Sequence, residues 1–153
     1  MADWRRWVGV VGIALAVGCA TPPSDGRVEA ELRRLGAEVH ELGRSPRIVV
    51  LNAGSQMDAW GQITASQADG PSTRMQALGS QLAKADRRRV GVVMGGPFPQ
   101  LNDRMVLDAL AASGTGPLPG LTLLLVSPEP PHEDLRHEAR RRRIRLVHRA
   151  LHI

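Results

Sequence analysis

The chain has 153 residues, a formal net charge of +5, one cysteine, one phenylalanine, three tryptophans and no tyrosine. That length suits one domain with a real core, not two. A lone cysteine excludes an internal disulfide or a multi-thiolate metal site, and the scarcity of flat side chains argues against a reader of sugars or single-stranded bases, which works by stacking.

The chain opens with a charged segment, Asp3-Trp4-Arg5-Arg6, followed by an uncharged run from Trp7 to Gly18 of secretory length. The run is short against the roughly 20 residues of a spanning helix, and Pro22-Pro23 follow at once. Gly18-Cys19-Ala20 also fits the small-x-small rule for ordinary cleavage after Ala20. Leu15-Ala16-Val17-Gly18-Cys19, ending on the only cysteine, resembles the bacterial lipobox. The resemblance implies a lipoprotein. Residues 1–18 are then a signal peptide, Cys19 is acylated and becomes the new N-terminus, residues 19–26 are a tether, and 27–153 form a periplasmic domain. Each acyl CH₂ buried in a bilayer contributes about 0.8 kcal/mol, so more than one chain makes the anchoring stable. Ala20 stands where an aspartate retains enteric lipoproteins at the inner membrane, so the same resemblance implies the periplasmic face of the outer membrane.

After the tether, Val28, Leu32, Leu35, Val39 and Leu42 recur at spacings of three and four, which predicts a helix over 28–42 ended by Gly43. Arg47 to Asn52 is a short β-branched strand pattern. Ala53 to Pro71 is polar with little periodicity, and a loop of that length is functional or partly structured. Ser72 is positioned to cap a helix over Thr73–Ala85, with Met75, Leu78 and Leu82 on its apolar stripe. Arg89–Met94 predicts the second strand, Gln100–Ala112 a helix, and Leu121–Val126 the third and most apolar strand. Ser127 to Pro131 breaks that strand, Glu133–Arg142 continues as a charged helix, and Ile144–Leu151 closes the pattern as a strand.

The order α-βαβαβαβ predicts an α/β fold: a single small domain with a mainly parallel four-stranded sheet, packing helices and right-handed crossovers. Apolar runs without strict alternation fit strands covered on both faces. The last strand differs, with Arg143, Arg145 and Arg149 on one face and Ile144, Leu146 and His148 on the other, as in a half-buried edge strand.

Nineteen of the twenty basic residues are arginine, and seven fall between Arg136 and Arg149 against one acid, Glu138. In an exported protein such a run points away from nucleic acid. It points toward anionic envelope polymers, lipid headgroups or an envelope protein complex, by charge attraction. Arg140, Arg141, Arg142, Arg143 and Arg145 are therefore candidate partner contacts. Gly95-Gly96-Pro97-Phe98-Pro99 is the other distinctive segment. In a parallel sheet it leaves the carboxyl end of the second strand, where open α/β sheets bind ligands, so Gly95, Gly96 and Phe98 are also candidates.

No catalytic, metal or cofactor motif is present. His132 and His137 are five apart, about 140° around a helix, and Arg136 holds the position that a second zinc ligand needs. His148 and His152 lie too far apart in a strand to share a metal. Leu51-Asn52-Ala53-Gly54 matches a turn of short-chain dehydrogenases without their glycine-rich loop or tyrosine-lysine pair. Strand–helix alternation from Ile48 to Val126, with Leu101-Asn102-Asp103-Arg104, resembles the OmpA-like peptidoglycan-binding domain and its Leu-Ser-x-x-Arg-Ala helix. The arginine comes one residue early, and Gly95-Gly96-Pro97-Phe98 replaces that family's Gly-His-Thr-Asp, so no binding residue carries over. The shape is also similar to small α/β envelope lipoproteins related to the TolB N-terminal domain. The expectation is a non-enzymatic, cofactor-free interaction module of the cell envelope. The alternatives are a degenerate peptidoglycan-binding domain or an uncharacterised hydrolase.

Overall fold

The computed structural model describes residues 25–53 and 73–153. The expected signal, Cys19, the Ser72 cap and the polar stretch 54–71 lie outside the described residues. Helix α1 (Asp25–Ala37) leads through a 3-10 turn (His40–Leu42) to β1 (Arg47–Val50). Then follow α2 (Thr73–Arg88), β2 (Val92–Gly95), α3 (Pro99–Ala112), β3 (Thr122–Ser127), α4 (Glu133–Arg141) and β4 (Arg145–Ala150). The strands form one parallel sheet in the order β1-β2-β3-β4, so the fold is α/β with a single small domain, as the pattern predicts.

Each crossover moves one strand onward in the same direction, so right-handed connections put α2, α3 and α4 on one face. Met75, Leu78 and Leu82 of α2, Met105 and Ala109 of α3 and Leu135 of α4 bury there against Val92, Met94, Leu123 and Leu125. The opposite face belongs to α1. Val28, Leu32 and Leu35 pack with Val93, Leu124 and Val126. Alternate residues of each strand serve the two cores, which explains the near-continuous apolar runs.

The first helix is shorter than its periodicity suggests. It stops at Ala37, Val39 is extended (φ −104°, ψ 101°), and the 3-10 turn swings Leu42 over the start of β2. Gly91 permits this, because a Cβ there would lie 2.6–2.7 Å from Leu42 atoms. An i, i+3, i+4 pattern cannot distinguish this break from a continuous helix, since Val39 and Leu42 are buried either way.

Both outer strands shield an edge carbonyl with arginine. Leu51 N–H donates to Gly95 O, so Val50 O points outward, and Arg74 Nη2 donates to it at 2.7 Å. On β4, Leu151 N–H donates to Ser127 O, so His148 O points outward and receives Arg149 Nη1 at 3.1 Å. Occupied edge carbonyls discourage pairing with another chain.

Candidate functional site

Helices α1 to α4 run antiparallel to the strands, so the sheet has two chemically different ends. At the carboxyl end, buried asparagines tie three segments together. Asn52 Nδ2 donates to Asn102 Oδ1 (2.7 Å), and Asn102 Nδ2 donates to Gly96 O (2.7 Å) and Ser127 Oγ (3.0 Å). Phe98 N–H donates to Asn52 Oδ1 at 3.2 Å, which fixes the turn into α3. No buried side-chain polar atom among the described residues lacks a partner. The network's side-chain polar atoms are satisfied by one another and by the backbone, and they hold the strand ends together.

Gly95 and Gly96 belong to this packing. Both are buried, a Cβ on Gly95 would collide with Val126 O, and one on Gly96 would collide with Asn52. Gly96 N–H donates to Val126 O, and its carbonyl already receives Asn102. The expected ligand role of these two glycines is therefore corrected: their atoms are enclosed and bonded. Phe98 is half-buried: it packs on the core below α2–α4 and keeps part of its surface open at the carboxyl end. The strand order also lacks the reversal that opens a ligand crevice in other α/β sheets.

Next to this network, Asp103 Oδ2 accepts the His132 N–H at 2.9 Å. Partial burial raises the carboxyl above its ordinary value, opposed by that hydrogen bond and by nearby His132, His148 and Arg136. His148 Nε2 contacts Ser127 O at 3.0 Å and so has a structural partner. Among the described residues, no group of three or more metal-capable side chains converges. Nor does a hydrogen bond among the described residues join a hydroxyl nucleophile to a general base there.

The amino end is different. Arg140, Arg141, Arg143 and Arg145 are exposed, as expected of them, but Arg142 is not. It is 1% exposed, and its Nε donates to Gly116 O (2.8 Å) and its Nη1 to Leu110 O (2.5 Å). Burial pulls its guanidinium below the ordinary value, while Glu138 and Asp86 favour the charge. Arg142 thus staples the loop before β3 and cannot reach a partner, which corrects its place among the candidates. Arg141 is bonded to Glu138, whose carboxyl it holds below the ordinary range. No side-chain partner is present for Arg140, Arg143 or Arg145 among the described residues.

Topology brings a second arginine group to the same end. Arg87 and Arg88 finish α2, Arg89 follows, and all three are exposed. The acid that precedes them in sequence, Asp86, accepts the Gly120 N–H at 2.7 Å. Gly120 and Gly116 belong to one loop, so that loop joins the two groups, tied to Asp86 on one side and to Arg142 on the other.

Arg89 and Arg143 occupy equivalent positions. Each follows a helix with φ of 55° and 58°, where glycine is the usual residue. Arg89 N–H bonds Asp86 O and Val90 N–H bonds Ala85 O; Arg143 N–H bonds Arg140 O and Ile144 N–H bonds Ala139 O. These paired 5→2 and 6→1 bonds are Schellman caps. They also explain why β2 begins at Val92 and not Arg89, and why Arg143 and Ile144 precede β4 instead of alternating within it. Helix α3 ends with the expected glycine, Gly114, at φ 109°. Sequence reading missed the Arg87–Arg89 group as a site because it lies about 50 residues from the C-terminal run. The signal was there: in a parallel α/β order, the end of every crossover helix falls at the amino end of the sheet.

Comparison with protein-family models, curated proteins and solved structures found nothing that matches this chain.

Proposed function

We propose that this chain is an outer-membrane lipoprotein whose periplasmic α/β domain is a non-enzymatic docking module of the cell envelope. The observation that carries the reading is the set of exposed arginines without acidic partners among the described residues, Arg140, Arg143 and Arg145, held on a cap whose neighbour Arg142 is anchored inside. A solvated face built for stability alone would be expected to pair its charges, as α1 does with Arg33–Glu29 and Arg34–Glu31. The closed asparagine network supports a binding module over a hydrolase, because it offers no activated nucleophile.

The membrane part of the proposal is tested with Cys19→Ser. That variant should escape lipoprotein processing and leave the membrane fraction; a serine variant that still floats with outer membranes at unchanged mass would remove the lipidation. Pull-down on purified sacculi addresses the peptidoglycan-binding alternative. Absence from the pellet removes that alternative, and co-sedimentation that persists in high salt replaces the charge-based reading with it.

A further inference from the structure

We infer that the amino end of the sheet docks an acidic polypeptide segment of another protein, held between two arginine groups, Arg87–Arg89 and Arg140–Arg145. The inference rests on the reading of this domain as an interaction module and names its partner.

Part of the arginine placement has a purely structural cause. Cations in the last turn of a helix complement its dipole, and Arg87, Arg88, Arg140 and Arg141 sit in such turns. Arg89 and Arg143 do not have that account. Both occupy a left-handed position that disfavours any residue with a Cβ, and each is exposed, with no side-chain partner among the described residues. Two separate segments thus carry arginine where the backbone asks for glycine, and both deliver it to the same end of the sheet.

The chemistry of that end selects the partner. Its cations are almost entirely guanidinium, whose planar fork matches a carboxylate with two parallel hydrogen bonds. No aromatic residue of the described chain lies there, since Phe98 is at the opposite end, so sugar rings and bases find no stacking platform. Strands about 4.8 Å apart place the starts of β2 and β4, which follow the two groups, roughly 10 Å from each other. An extended acidic stretch of about four residues spans that distance at about 3.3 Å per residue. Between the two groups lies Gly114-Thr115-Gly116-Pro117, exposed and uncharged, which adds no repulsion.

A bilayer is a poorer occupant. Helix α1 runs antiparallel to β1, so Asp25 begins at the carboxyl end, where Val28, one turn on, shares a core with Leu151. Six residue steps separate Cys19 from Asp25, a reach of about 20 Å at full extension. The 16-residue α2 alone is about 24 Å long at 1.5 Å per residue. A lipid at Cys19 therefore keeps the carboxyl end near the membrane and turns the arginines outward.

The test uses the full-length protein in detergent and fluorescent poly-L-glutamate as probe. Arg89→Gly/Arg143→Gly removes two charges and relieves two strained positions, so it should melt at or above the wild-type temperature. It should bind the probe roughly five- to tenfold more weakly, the effect of two exposed ion pairs. Arg33→Gln/Arg104→Gln removes the same charge elsewhere and should stay within about twofold of wild type. Raised salt should weaken wild-type binding. Wild-type affinity in the Gly/Gly variant, equal loss in the Gln/Gln control, or preference of the arginine groups for phosphatidylglycerol vesicles over poly-L-glutamate would each overturn the inference. Failure here leaves the Cys19 result untouched, and failure of Cys19→Ser to change fractionation leaves this binding result standing, so the two readings fall separately.

Discussion

Arg142 carries a charge into a nearly dry interior and keeps it there by donating to two carbonyls, Leu110 O and Gly116 O, while Glu138 and Asp86 supply negative potential. Removing the side chain would strand both carbonyls and leave the loop before β3 held to this residue by one backbone bond, Leu118 N–H to Arg142 O. Arg142→Ala is expected to destabilise the domain by about 2–4 kcal/mol in denaturant unfolding, the scale of losing buried charged hydrogen bonds. Arg140→Gln, one turn-edge away and exposed, should stay within about 0.5 kcal/mol. Asp103 gives a second residue-scale expectation. Its carboxyl is raised in the folded state, so the folded chain holds that proton more tightly than the unfolded chain does. Its contribution to stability is therefore present at acid pH and is lost as pH rises from the ordinary aspartate value through the raised one. Asp103→Asn should abolish that part of the pH profile and raise stability at neutral pH by less than about 1 kcal/mol, since the group is only partly shielded from solvent. The Asn Oδ1 still accepts the His132 N–H, so a net loss at neutral pH would show that the ionised carboxylate itself is needed.

Pairs of elements meet through glycine where propensity argues against it. Gly79 lies inside α2, at a place where alanine would favour the helix by about 1 kcal/mol. A Cβ there would stand 2.6 Å from the Ala112 carbonyl carbon and 2.7 Å from Ser113 N, both backbone atoms at the end of α3. Backbone cannot rotate out of the way as a side chain can, so α2 and α3 would have to separate. Gly79→Ala is expected to lower stability by about 1–2 kcal/mol in spite of its helix propensity, because overpacking outweighs it. A stabilised variant by thermal melting would mean that the helices are free to slide. The helix ends also differ in charge: α3 ends on Gly114 at φ 109°, whereas α2 and α4 end on arginine at φ 55° and 58° and so bring charge to the surface.

Across the whole molecule, parallel topology sorts charge by end. Helix C-termini and strand starts share the amino end, and with them come both arginine groups. The carboxyl end holds the asparagine network together with Asp103 and the acidic first turn of α4, Glu133 and Asp134. The proposed lipid anchor would make this polarity measurable. In protein reconstituted on vesicles through Cys19, a bulky maleimide should label Arg88→Cys as fast as it does in detergent, whereas Gln100→Cys, exposed at the start of α3, should label more slowly. Protection of Arg88→Cys and not Gln100→Cys would show that the arginines face the bilayer.

Much of the architecture was legible in the residues themselves, because burial on both faces of a parallel sheet and on one stripe of each helix leaves a local record. The apolar runs of β2 and β3 and the stripes of α2 to α4 record it, and the α-βαβαβαβ order follows from them. Element ends were less legible. Arg89 and Arg143 read as strand residues, since nothing in a lone arginine announces a left-handed cap, and Leu42 reads as helical whether or not the chain turns before it. The exposed part of the C-terminal arginine run was visible as composition, but not which arginine turns inward. Arg142 is set apart from Arg141 and Arg143 only by the carbonyls of Gly116 and Leu110, which come from other segments. Gly95 and Gly96 looked like an open turn until Asn52, Asn102 and Val126 closed around them, contacts that span tens of residues. Local chemistry determines which segments become helix or strand. The site is decided by what the chain brings together at each end of the sheet, and that depends on strand order and crossover direction, which no short stretch of sequence contains.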